Sequence, residues 1–139
     1  MKRIGIPSLA AAALLALSGA AASADKVDLG KREYDANCAS CHGMLGKGDG
    51  PTAGYLTKSA PDLTTLSRRN GGVFPLMRVY ETIDGGSIGA HGSRDMPVWG
   101  ADYRTRAGAY YMDVPYDAEA YVRARILALA EYIHRLQAK

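Results

Sequence analysis

Residues 37–44 read NCASCHGM, and they hold two cysteines and a histidine within five positions. Cys38 and Cys41 are the only cysteines of the 139-residue chain, so the stretch is a lone site without a disulfide framework around it. Four chemistries compete for it: covalent haem attachment, a dithiol redox centre, half of a zinc site, and a plain disulfide. The surrounding sequence has to choose.

The chain opens MKRIGIPSLAAAALLALSGAAASADK. Lys2 and Arg3 lead into an apolar run over residues 4–17, and Ala22-Ser23-Ala24 supplies the small-x-small pattern of a signal-peptidase site. The expectation is a signal peptide over 1–24, cleaved after Ala24, and a single mature domain over 25–139. The rival is an uncleaved membrane anchor. It is disfavoured because the apolar run is short for ~30 Å of hydrocarbon and is interrupted by Pro7 and Gly19. Lys2 and Arg3 leave with the leader and no acid does, so the formal charge falls from +3 to +1. A near-neutral chain without a basic stripe or a nucleic-acid motif argues against a nucleic-acid partner. A domain this small buries its core economically, and a cofactor with apolar surface of its own would help.

Cys-x-x-Cys-His in an exported chain points to haem c, one covalently attached iron porphyrin. Two thiols three residues apart can each add to one vinyl group of the same ring. His42, directly after Cys41, can then present an imidazole nitrogen to the iron. A thioredoxin-like dithiol is expected beside a βαβ pattern, which is missing. Structural zinc needs four ligands, and besides His42 only His91 and His134 remain. A Cys38–Cys41 disulfide closes a tiny loop and stabilises little.

No convincing period-two strand appears anywhere, so the fold class is all-α. A first helix is expected over residues 28–39, with Gly30, Tyr34, Cys38 and Cys41 on one face. Gly30 is an interior helix glycine, costing ~1 kcal/mol against Ala, and is best explained by a closely packed second backbone. Residues 43–61 are rich in Gly and Pro and read as a wrapped loop. DLTTLSRR suggests a short helical turn. GVFPLMRVYETIDGG suggests a helix with Pro75 in its first turn and Gly85-Gly86 at its end. Residues 87–100 are irregular, and the tyrosine-rich 101–116 is read as a solvated loop whose aromatics lie on the core. The last helix follows Asp117 as N-cap and carries Val122, Ile126, Leu129, Ile133 and Leu136 in one apolar stripe.

The second face of the iron has several candidate ligands. Met44 is too near His42 to cross the ring, and Met77 sits in a helical pattern beside Leu76 and Val79, a position expected to be core. Met96, in RDMPVWG, is favoured: the backbone is irregular, and Pro97 stiffens a loop that can aim a thioether at the metal. His91 is the main rival, His134 is a further candidate, and Met112 stays open.

CASCHG followed by MPVWG and a C-terminal LAEYIHRL resembles a bacterial class I cytochrome c over nearly all of the mature chain. The resemblance implies an N-terminal helix that delivers Cys38, Cys41 and His42, and a loop methionine, here Met96, on the opposite face. It matches Gly30 and Tyr34, eight and four residues before the first cysteine, with Leu129 and Tyr132 on the C-terminal helix. It also matches Pro61 in APDL with the proline whose carbonyl orients the proximal histidine. Residues 101–116 exceed what minimal family members need. They could cover the haem propionates through Arg104, Arg106 or a tyrosine hydroxyl, or form a docking surface.

An iron held by His and Met is coordinatively full, so the implied function is one-electron transfer and not catalysis. A soft thioether favours ferrous iron and a positive potential. The implied partners are other redox proteins of the periplasm, docking weakly over less than ~1,200 Å². Lys47, Lys58 and Arg94 alternate with Asp49, Asp62 and Asp95, so the sequence names no sign for the partner's surface. Two other roles stay open: a five-coordinate haem enzyme or gas sensor if Met96 is not a stable ligand, and a haem subunit dedicated to one dehydrogenase or oxidase.

Overall fold

Long-range helix contacts organise the chain. A computed structural model describes residues 26–86, 96–111 and 117–138. The predicted leader, His91 and Met112 lie outside the described residues. Among the described residues the regular elements are helices only: α1 (Leu29–Asn37), α2 (Ala39–His42), α3 (Leu66–Arg69), α4 (Leu76–Asp84), α5 (Trp99–Tyr110) and α6 (Ala118–Arg135), besides two short 3₁₀ turns. None is long and apolar enough to cross a membrane.

The C-terminal helix α6 is the spine against which α1, α4 and α5 pack. Asp117 caps it, accepting from the Glu119 amide at 2.9 Å, as its place before the apolar stripe predicts. Val122, Ile126, Leu129 and Ile133 are buried in the core with Tyr34, Val79, Ile83 and Tyr103. Fully burying each of the larger aliphatics stabilises the fold by roughly 1.5–3 kcal/mol.

Gly30 is where α1 crosses α6. A Cβ there would stand 2.1 Å from the Ala128 carbonyl oxygen and 2.9 Å from Tyr132 Cβ. One turn on, the rings of Tyr34 and Tyr132 pack with centroids 5.1 Å apart. The expected helix over 28–39 is broken in two. Asp28 caps α1, which stops at Asn37, and Cys38 (φ −118°) is the joint before the single turn of α2.

Other expectations hold. Pro75 starts α4 and Gly85 ends it at φ +99°, a left-handed conformation that glycine adopts without strain. Asp62 caps a short 3₁₀ turn over Leu63–Thr65 that runs into α3. Two expectations are overturned. The tyrosine-rich segment is helical as far as Tyr110, with Tyr103 and Ala107 buried against α6. Met77 is 65% exposed, because Val79 and Ile83 take the inward stripe of α4.

Tyr110, Tyr111 and Tyr121 gather at the far end of α5, with centroid separations of 4.7, 5.9 and 6.3 Å. The Arg125 guanidinium lies over Tyr121, 4.8 Å from its centroid.

Candidate functional site

The turn of α2 and the loop after it form one hydrogen-bonded unit. His42 N–H and Cys41 N–H donate to Cys38 O at 2.9 and 3.1 Å, closing the turn that presents both thiols and the imidazole. Gly48 N–H donates to His42 O at 2.8 Å, and Gly50 N–H to Cys41 O at 3.1 Å. The buried Tyr34 hydroxyl donates to Gly43 O at 2.7 Å, so α1 braces the backbone just after His42. The loop is glycine-rich for a steric reason: a Cβ on Gly50 would meet Ser40 O at 2.3 Å.

Beside this unit lies a cavity of about 440 Å³. Cys38, Cys41 and His42 form one part of its wall, Leu56, Lys58–Pro61, Leu63 and Leu66 contribute others, and Met96, Pro97 and Trp99 lie on it as well. The wall as a whole exposes mostly apolar surface, including Val79, Ile83 and Ile133 from the core, with Asn37, Asn70 and Thr82 among its polar groups. Such a wall suits a flat apolar ligand with a few polar anchors.

His42 is buried, and its Nδ1 lies 3.1 Å from Pro61 O. A carbonyl only accepts, so Nδ1 carries the proton and Nε2 keeps the lone pair needed to ligate a metal. Both thiols are free. Burial, with help from the Glu33 charge, pushes the Cys38 thiol up to about 12. A redox dithiol needs the opposite, a thiolate stabilised near neutral pH. Among the described residues no cluster of three or more His, Cys, Asp or Glu could hold a metal ion. A His–Met pair around a porphyrin iron does not require one.

The described candidates for a second axial ligand separate by position. Met96 is half-buried on the cavity wall. Met44 and Met77 are exposed and line no part of it. His134 stacks on Phe74 with centroids 4.6 Å apart, away from the wall.

The charged residues on the wall are Lys58, Arg69 and Arg78, none of them acidic. Arg104 and Arg106, the sequence-based choices for covering carboxylates, stand elsewhere. Arg104 pairs with Glu119 at 2.7 Å and Asp84 at 3.2 Å, and Arg106 with Asp102 at 2.8 Å. Sequence reasoning also missed Asn37 and Trp99 as wall residues. Their closeness to Cys38 and Met96 was the available signal.

The cavity fits a haem by the chemistry of its donors: two thiols, one imidazole of fixed tautomer and one thioether on a largely apolar wall. The comparisons agree. The cytochrome c family model matches residues 27–137. The chain is 38% identical over 86 residues to the CcoP subunit of a cbb3-type cytochrome c oxidase from Azospirillum sp. (strain B510). That stretch covers 62% of this chain and 26% of the relative, so the match spans about a quarter of the relative's length. No solved structure matches the chain significantly.

Proposed function

This chain belongs to the cytochrome c family, and on that premise we propose that it is a periplasmic one-electron carrier with His42 and Met96 as axial ligands of its single haem c. Cys38 and Cys41 hold the porphyrin through thioethers. The observation that carries the reading is the convergence of Cys38, Cys41, His42 and Met96 on one cavity wall.

When bound, the haem iron supplies one-electron oxidation and reduction. The chain's residues do the rest. Pro61 O orients His42 and makes its imidazole a stronger donor. Met96, on a segment continued by Pro97, would supply the second axial ligand, a soft thioether that favours the ferrous state. Val79, Ile83 and Ile133 exclude water from the ring. Arg69 and Arg78, guanidinium groups on the cavity wall, would pair with the propionate carboxylates, which guanidinium can bond bidentately.

An electrochemical titration of the holoprotein with a carbon monoxide challenge tests the proposal. The expected result is a one-electron transition at positive potential and no carbon monoxide adduct at neutral pH. Ready adduct formation would favour a five-coordinate gas-reactive or peroxide-reactive haem instead.

The likeness to an oxidase subunit favours a second reading, in which this domain serves one oxidase. Size exclusion of native periplasmic extract separates the two. A shuttle elutes alone at the size of the mature chain, whereas a subunit elutes with its complex.

A further inference from the structure

Glu33 is a charged side chain on the face of α1 that enters the core, and it is only 5% exposed. Buried carboxylates are rare unless every oxygen is matched. Here both are. Oε2 accepts from the Tyr103 hydroxyl and from Asn37 Nδ2, each at 3.0 Å, and Oε1 pairs with Arg125 Nη1. The three donors come from α5, α1 and α6.

The placement of these groups relative to the cavity is specific. Asn37, four residues after Glu33, lines the cavity next to Cys38. Trp99, four residues before Tyr103, lines it three positions after Met96. The Glu33–Tyr103 bond therefore ties the two wall-forming segments together one helical turn behind the cavity on each side. Tyr103 is itself buried, and burial followed by the Glu33 charge raises its hydroxyl well above the usual phenol value, so it stays a donor.

We propose that Glu33, Tyr103 and Arg125 are positioning residues that fix the Met96 segment against the Cys38 segment and so set how firmly Met96 stays on the iron. The inference rests on the reading of Met96 as axial ligand. Breaking the tie populates a methionine-off form, and the apparent affinity for an external ligand rises with that population.

The test is imidazole binding to ferric holoprotein, followed by loss of the weak far-red band of methionine-bound iron. Tyr103→Phe removes only the hydroxyl. Glu33→Gln turns an amide N–H₂ toward a donor. Val122→Ala, a core truncation on α6 outside the network, is the control for stability loss alone. Tyr103→Phe and Glu33→Gln are expected to bind imidazole about tenfold more tightly, and the control within about twofold at a matched loss of unfolding stability. If Tyr103→Phe yields no holoprotein, Glu33→Gln decides by the same comparison. Equal affinity in network variants and control overturns the inference and leaves the Met96 reading intact. A wild-type protein without the far-red band defeats both.

Discussion

His42 Nδ1 and the Pro61 carbonyl oxygen stand 3.1 Å apart across a loop of nineteen residues. The contact fixes the imidazole tautomer and, with His42 on the iron as proposed, would push electron density toward Nε2 and stabilise the ferric state. Pro61→Gly loosens the carbonyl's position and weakens that push. The midpoint potential should rise, by about 20–60 mV if the ferric-over-ferrous preference drops two- to tenfold, since tenfold is about 59 mV for one electron. An unchanged potential in a potentiometric titration would show that the bond does not tune the iron.

Gly30→Ala reverses the usual rule for helices. At an open site the change gains ~1 kcal/mol of helix propensity. At Gly30 the new methyl meets backbone at 2.1 Å, and backbone cannot rotate away. The expected outcome is a net loss of about 1–3 kcal/mol in denaturant unfolding. A stabilised variant would mean that the α1–α6 crossing is looser than the geometry requires.

Acid should weaken the fold through its helix caps. The Asp28 carboxyl is held below its ordinary value of 3.8 by the Lys31 amide, and Asp117 by the Ala120 amide. Asp62 is lowered first by the Thr64 hydroxyl. A depressed folded-state pKa contributes stability above the unfolded value and loses it as pH falls through the folded one. Denaturation midpoints should therefore decline below about pH 4, the region of the unfolded carboxyl. Asp28→Asn and Asp117→Asn should flatten that decline, and an undiminished slope in the double variant would place the acid sensitivity elsewhere. Asp28 and Asp117 are solvent-exposed and Asp62 is only half-buried, so screening should keep the effect modest.

Arg78→Gln removes a cation from the cavity wall. A nearby positive charge favours the reduced state, so the midpoint should fall, while unfolding stability stays within about 0.5 kcal/mol because Arg78 is exposed. A potential that holds steady while partner association loses its salt dependence would assign Arg78 to docking instead of the propionates.

The parts of the site that could be read from the chain are those whose determinants are local or pinned by a steric exception. Gly30 is legible because a glycine inside a helix needs a reason. Met96 stands out because Pro97 stiffens the backbone beside it, whereas Pro61 is picked out only through the family resemblance of APDL. The helix α5 was not, although Trp99, Tyr103, Ala107 and Tyr111 recur every four residues. Gly100 and Gly108 and the run of tyrosines mask that repeat as loop composition. Glu33 was invisible for a different reason. Its partners Tyr103 and Arg125 lie 70 and 92 residues away, so between Arg32 and Tyr34 it looks like one more solvated charge.

The ferric absorption spectrum of the mature holoprotein, recorded beside that of Met96→Ala, tests the central claim most directly. His42–Met96 ligation predicts a weak far-red sulfur-to-iron band in the wild type that vanishes in the variant, together with new binding of external ligands. A wild type without the band, or a variant that keeps it, would contradict the account.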